Sequence, residues 1–186
     1  NDGLWMKADK AMLGKVTASN LDAVIPDYSR EKLLIDADVN GPGKEVGPYF
    51  NETPLKETLG AALGELQLDG GVSARLHLDI PLDGEMTTAK GDVRLNNNSL
   101  FIKPIDTTLQ NLSGKFSFVN GDLKSEPMSA TWFNQPLNID FSTTEGAKAF
   151  LVDVGMNASW QPARTGLLPK ALEGTLSGSV PWDGKV

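Results

Sequence analysis

From Val72 to Asp83 the chain alternates apolar and polar positions without a slip, and this run constrains the fold more than any other. A strand points successive side chains to opposite faces. Val72, Ala74, Leu76, Leu78, Ile80 and Leu82 therefore share an apolar face, and Ser73, Arg75, His77 and Asp79 a wet one. At about 3.3 Å per residue, eleven such positions run roughly 36 Å, about twice the usual strand length. The phase reaches back through Leu66 and Leu68 to Gly70-Gly71, a pair able to bend or end a strand. A strand this long with one dry face needs an apolar partner to dry it.

Other stretches repeat the pattern. Leu33, Ile35, Ala37 and Val39 alternate with Asp36, Asp38 and Asn40, which predicts a half-buried strand. Ala89, Gly91, Val93 and Leu95 share a phase, as do Leu112, Gly114, Phe116 and Phe118, and then Leu137, Ile139 and Phe141. Phe150, Val152, Val154, Met156, Ala158 and Trp160 make a second long strand. Asn120-Gly121 is a two-residue hairpin signal. Leu4 to Val24 reads as short strands of no fixed parity, and Leu100-Phe101-Ile102 and Leu109 as irregular pieces around Pro104. Leu167 to Leu172 reads as a helical or turn segment, and Thr175 to Trp182 as the last strand. Gly41 to Pro48 carries too much Gly and Pro to continue a ladder. Thr53-Pro54 then opens a helix over residues 54–63, with Thr as N-cap and Pro in the first turn. The fold class is mainly β and antiparallel, with one or two short helices.

The totals exclude several functions. With 24 acidic against 17 basic residues and net charge −7, the chain lacks the basic stripe that holds a nucleic acid. It has no cysteine, so disulfides, thiolate catalysis and Cys-based zinc sites are excluded. His77 is the single histidine. Asp79, Asp83 and Glu85 are its only local acidic neighbours, short of a converging metal set, and no nucleophile–base–orienter set can be built around one histidine. Asp36 and Asp38 form the wet side of a strand. Gly41-x-Gly43-Lys44 lacks the spacing and the hydroxyl of a phosphate loop. No catalytic residue, metal or cofactor is expected, and the chain is not read as an enzyme.

Two internal matches suggest a repeat. Ile80-Pro-Leu-Asp-Gly84 returns as Val180-Pro-Trp-Asp-Gly184, and Leu34-Ile-Asp-Ala-Asp-Val-Asn40 resembles Leu151-Val-Asp-Val-Gly-Met-Asn157. We expect one continuous segment over 1–186. A repeat boundary falls near 84–86, so that 1–84 ends one repeat and 85–184 forms the next. No run reaches the 18 or more apolar residues of a membrane span, and the start Asn1-Asp2-Gly3 has neither initiator Met nor leader pattern, so the chain reads as cut from something larger.

In the order of its motifs the chain resembles the AsmA-like proteins of the Gram-negative envelope. The features are the Thr53-Pro54-Leu55 helix start, the strand ending Ile80-Pro81-Leu82, and Gly91-Asp-Val-Arg-Leu95 leading to Ser99-Leu100. Leu112-Ser-Gly-Lys-Phe-Ser-Phe118 followed by Asn120 and Leu123, then Met128-Ser-Ala130 and Gln135-Pro-Leu137, complete the series. The resemblance implies a curled, repeating β-groove whose apolar interior carries phospholipid from inner to outer membrane. It places the chain in the periplasm as part of an inner-membrane-anchored protein, although the family's N-terminal membrane helix is absent. Its partners would be phospholipid acyl chains and, through regions outside this segment, the two membranes. The lining it implies, combined with the parities above, is Leu76, Leu78, Ile80, Val93, Leu95, Phe116, Phe118, Leu137, Ile139, Phe141, Val152, Val154 and Met156. The alternative is a closed β-sandwich interaction module of a surface protein, in which two sheets bury the same faces against each other.

Overall fold

A computed structural model of the chain describes residues 3–27, 31–45, 66–120, 122–145, 150–172, 175 and 177–185. Its strands are β1 (Leu4–Leu13), β2 (Val16–Ile25), β3 (Lys32–Pro42), β4 (Leu66–Asp69), β5 (Gly71–Pro81) and β6 (Thr88–Ile102). They continue as β7 (Thr107–Val119), β8 (Asp122–Ser125), β9 (Met128–Trp132), β10 (Gln135–Glu145), β11 (Phe150–Trp160) and β12 (Val180–Lys185). All twelve join one sheet in the order β1-β2-β3-β5-β6-β7-β8-β10-β11-β12, and its pairings are antiparallel. On β6, β4 extends the line of β5, and β9 extends that of β8 between β7 and β10, so twelve strands fill ten lanes.

The sheet is a single layer. Among the described residues the strands touch chiefly their ladder neighbours, and no second sheet lies against either face. The closed sandwich is therefore not the fold. Nor is the sheet flat, because apolar rings that stand two lanes apart converge. Phe116 on β7 and Phe141 on β10 have centroids 5.7 Å apart with β8 between them, and Trp132 on β9 and Trp160 on β11 are 5.6 Å apart across β10. Backbones two lanes apart are separated by roughly 9.5 Å. The apolar face is thus the inside of a curl.

Asparagines in the left-handed region supply the bending. Asn20 (φ 50), Asn97 (φ 58) and Asn111 (φ 53) each sit at a register shift, in β2, β6 and β7 respectively. An extra residue at such a bulge bends its strand and reverses the parity beyond it, and Asn tolerates positive φ better than most residues. On β6 the inward set changes from Val93 and Leu95 to Asn98, Leu100 and Ile102; on β7 it changes from Leu109 to Leu112, Gly114 and Phe116. Gly70 (φ 99) breaks the neighbouring lane between β4 and β5, so Gly70, Asn97 and Asn111 lie along one crease. Asn98, fully buried, pins that crease: its amide donates to the Asp69 and Gly71 carbonyls at 2.9 and 3.0 Å, while its Oδ1 accepts from the Asn96 N–H at 2.8 Å.

These bulges explain where local pattern reading departs from the structure. Leu100–Ile102 and Leu109 are continuations of β6 and β7, joined by a 3₁₀ turn at Lys103–Ile105, and their phase is shifted by one. Leu4 to Val24 is a long hairpin whose parity changes at Asn20. Gly41 and Pro42, expected to end the ladder, instead pair with Val72 and Gly71. Pro42 is admitted because β2 begins only at Val16, beside Gly41, so the ring withdraws no N–H from a neighbouring strand. The helix expected over 54–63 lies outside the described residues. A 3₁₀ turn at Lys170–Leu172 occupies the expected turn segment, but β12 starts at Val180, later than Thr175. Ile80 is the penultimate residue of β5, before a turn, whereas Val180 begins β12; register places both on the apolar face.

Candidate functional site: the inner apolar face

Strand register assembles the face row by row, because directly opposed residues share a side. Leu76 lies opposite Gly91, Gly91 opposite Phe118, and Phe118 opposite Leu123. Leu78 lies between Ile35 and Ala89, and Ile80 opposite Leu33. Val93 sits between Ala74 and Phe116, and Leu95 opposite Val72. Leu137 faces Ala130, Ile139 lies between Met128 and Met156, Phe141 faces Val154, and Thr143 faces Val152. All thirteen positions named from the sequence thus share one side of the sheet.

Their depth differs with their lane. Leu137, Phe118, Leu95, Ile139 and Val93 are buried, Leu137 to 2% exposure, whereas Val152 is 54% exposed. Eleven of the thirteen belong to one packed apolar cluster, with Ile80 and Val152 outside it at the flanks. β12 covers β11 only from Gly155 to Trp160, which leaves Val152 at an open corner. Gly91 is needed where it stands: a Cβ there would collide with the Arg75 carbonyl and lie 2.9 Å from the Phe118 ring, which packs over the glycine.

Sequence reading missed part of this face. Leu109, Leu112, Leu123, Met128 and Ala130 are all buried and belong to the cluster. Leu109 is hidden by the parity change at Asn111, Leu112 is in phase with Phe116 and Phe118 but was not counted in the lining, and the others lie on β8 and β9, which at four and five residues are too short to show a period. The usable signal was the pair of leucines, Leu109 and Leu112, set out of phase on either side of Asn111.

Trp132, Phe133, Trp160 and Trp182 form an aromatic cluster where β9, β11 and β12 end or begin. Trp160 meets Trp182 edge-on at 4.9 Å, and Trp132 meets Phe133 at 4.9 Å. The Trp132 indole N–H donates to Thr107 Oγ1 at 2.8 Å, and that of Trp160 to the Pro136 carbonyl at 3.0 Å. Trp132 and Trp160 thus have their polar ends satisfied, whereas the buried Trp182 indole nitrogen has no hydrogen-bond partner among the described residues.

The opposite face is charged. His77 does not pair with Asp79; its Nδ1 lies 2.9 Å from Asp36 Oδ1 on β3, and because a carboxylate only accepts, that nitrogen carries the proton. Asp79 instead meets Lys32 at 3.3 Å. Among the described residues no group of three His, Asp or Glu side chains converges. An open depression of about 710 Å³ lies on this side, walled by charged side chains of β3, β5, β6, β7 and β8. From β3 to β12, the described inward positions carry no Asp, Glu, Lys or Arg except Glu145, the last residue of β10, which takes the inward phase opposite Phe150.

A single curled antiparallel sheet, apolar inside and charged outside, defines the class: an amphipathic β-groove. The chain belongs to the YhdP family, whose model matches residues 1–186. It is 73% identical over all 186 residues to the intermembrane phospholipid transporter YhdP of Escherichia coli strain K12, of which it covers 15%. No solved structure matches. Among the described residues no helix is long and apolar enough to cross a membrane.

Proposed function

We propose that this chain is one segment of a periplasmic bridge-like lipid transporter, anchored in the inner membrane through other parts of a longer protein, and that phospholipid acyl chains pass along its inner face toward the outer membrane. The observation that carries this reading is the apolar inner face of a one-layer sheet, continuous across the lanes from β3 to β12 and free of charged residues up to Glu145 at the end of β10. The relative's description as an intermembrane phospholipid transporter supports the choice of cargo. The lining comprises the thirteen positions given above, extended by Leu109, Leu112, Leu123, Met128 and Ala130. Residues 1–186 then form one continuous stretch of groove, and a repeat boundary at 84–86 falls in the turn between β5 and β6. No catalytic step is assigned to the chain.

The energetics suit passage. Each CH₂ removed from water contributes about 0.8 kcal/mol, so a chain of about 16 carbons gains on the order of 12 kcal/mol gross anywhere along such a face. Rows of similar side chains make successive positions nearly equal in energy, so the chain can move without leaving apolar surroundings. A charge in the row would cost several kcal/mol and act as a barrier.

Leu78, half-buried on β5, is the position to test. In the full-length protein, Leu78→Arg is expected to melt within a few degrees of the parent and to lose most co-purifying phospholipid measured by mass spectrometry. Thr88→Arg, on the charged side opposite Asp79, serves as the control and keeps its lipid. Unchanged lipid in Leu78→Arg overturns the conduit, and a collapsed melt with no lipid in the parent makes the face an ordinary closed core.

A further inference from the structure

We propose that the depression on the outer, charged face is a binding site for a phosphate ester carrying hydroxyl groups, of the size of a glycerol or sugar phosphate. Four cations face it, Arg75, Arg94, Lys115 and Lys124, together with three carboxylates, Asp38, Asp92 and Glu126. Locally the balance is 4 − 3 = +1, in a chain whose net charge is −7.

Three observations mark these cations. Arg94 and Lys115 stand directly opposite each other on β6 and β7, an arrangement of like charges that destabilises a ladder. A solvent-facing strand position accepts many residues, so nothing in the fold demands this pair. Moreover, none of the four makes an ion pair among the described residues, whereas Lys7, Lys15, Lys32 and Lys185 each do. Finally, the depression they wall, about 710 Å³, lies within the range of roughly 300–1,000 Å³ typical of small-ligand sites.

The wall also selects the ligand. Arg94 offers a planar fork that fits two phosphate oxygens, and Lys115 a compact charge beside it. Asp38 and Asp92 flank Arg75 across the ladder, where they would repel a ligand of extended negative charge but accept hydrogen bonds from hydroxyl groups. Ser73, opposite Arg94, adds a hydroxyl donor. A single phosphate next to a polyol satisfies both halves. Ala74, Val93 and Phe116 of the apolar rows also border the depression, but its charged residues stand on the opposite face of the sheet, so ligand and lipid are expected to bind separately.

The test is titration calorimetry at low salt on the full-length protein, with glycerol 3-phosphate as the soluble probe and phosphatidylglycerol vesicles as the membrane-borne one, each against Arg94→Gln/Lys115→Gln. Expected is saturable binding that weakens at least 10-fold in the double variant, with an unchanged or higher Tm because the repulsion has gone. Binding of glycerol 3-phosphate assigns a soluble ligand, and binding of vesicles alone assigns a lipid headgroup; both uphold the phosphate site. No binding of either probe, equal binding by the variant, or preference for polyglutamate over both overturns it, the last making the surface one for an acidic protein.

Discussion

Asn97 and Asn98 show how far one side chain decides local shape. Asn97 sits at φ 58, where a β-branched residue is penalised by about 1–2 kcal/mol and glycine is not. Asn97→Val is therefore expected to lower stability in chemical denaturation by about that amount, and Asn97→Gly to leave it nearly unchanged. Equal effects would remove the bulge argument. Asn98 is fully buried and bonds two carbonyls and one N–H. In Asn98→Leu those three backbone groups lose their partner, and a loss of about 1–3 kcal/mol follows if even one remains unsatisfied. A variant as stable as the parent would mean that the crease holds without its pin.

At the scale of elements, the order of protection follows from lane position. β6, β7 and β10 are bonded on both sides and carry the most buried side chains, whereas β1 and β12 end the described ladder and expose Leu4, Trp5, Met6 and Val180. Local opening is easiest where few apolar contacts must be lost. Amide hydrogen exchange should be slowest at Leu95, Leu112 and Leu137 and faster by orders of magnitude along β1 and β12. Uniform protection would contradict a graded single sheet. The two short strands matter for the same reason: β8 and β9 fill one lane between β7 and β10, so a break in that lane interrupts neither neighbour.

At the scale of the molecule, one chemical asymmetry organises both proposals. The inner face is apolar and curled, and its rings converge across lanes, as Phe116 and Phe141 do. The outer face is charged, with contacts such as the Asp36–His77 hydrogen bond and the Lys32–Asp79 ion pair, and it carries the cations around Arg94 that make no ion pair among the described residues. Leu78→Arg and Arg94→Gln/Lys115→Gln probe opposite sides of the same strands. Each is expected to leave the other's readout intact, lipid content in one case and phosphate affinity in the other, and cross-effects would show that the faces are not separate.

Sequence alone determined the strands and their faces wherever parity ran unbroken, as over 72–80, 89–95, 137–141 and 152–160, because side-chain alternation is a local property of extended backbone. It also put the thirteen apolar positions from Leu76 to Met156 on a common side, as register has them. It did not reveal that β6 and β7 run through Asn97 and Asn111, since a bulge shifts the phase and makes one strand read as two irregular pieces. Nor could it choose between groove and sandwich, because both want the same apolar faces. That choice belonged to the tertiary structure, in which the strands form one curled layer whose own side chains converge to dry it. The pairing of Arg94 with Lys115 was likewise invisible in the chain, because residues 21 positions apart become neighbours only through register.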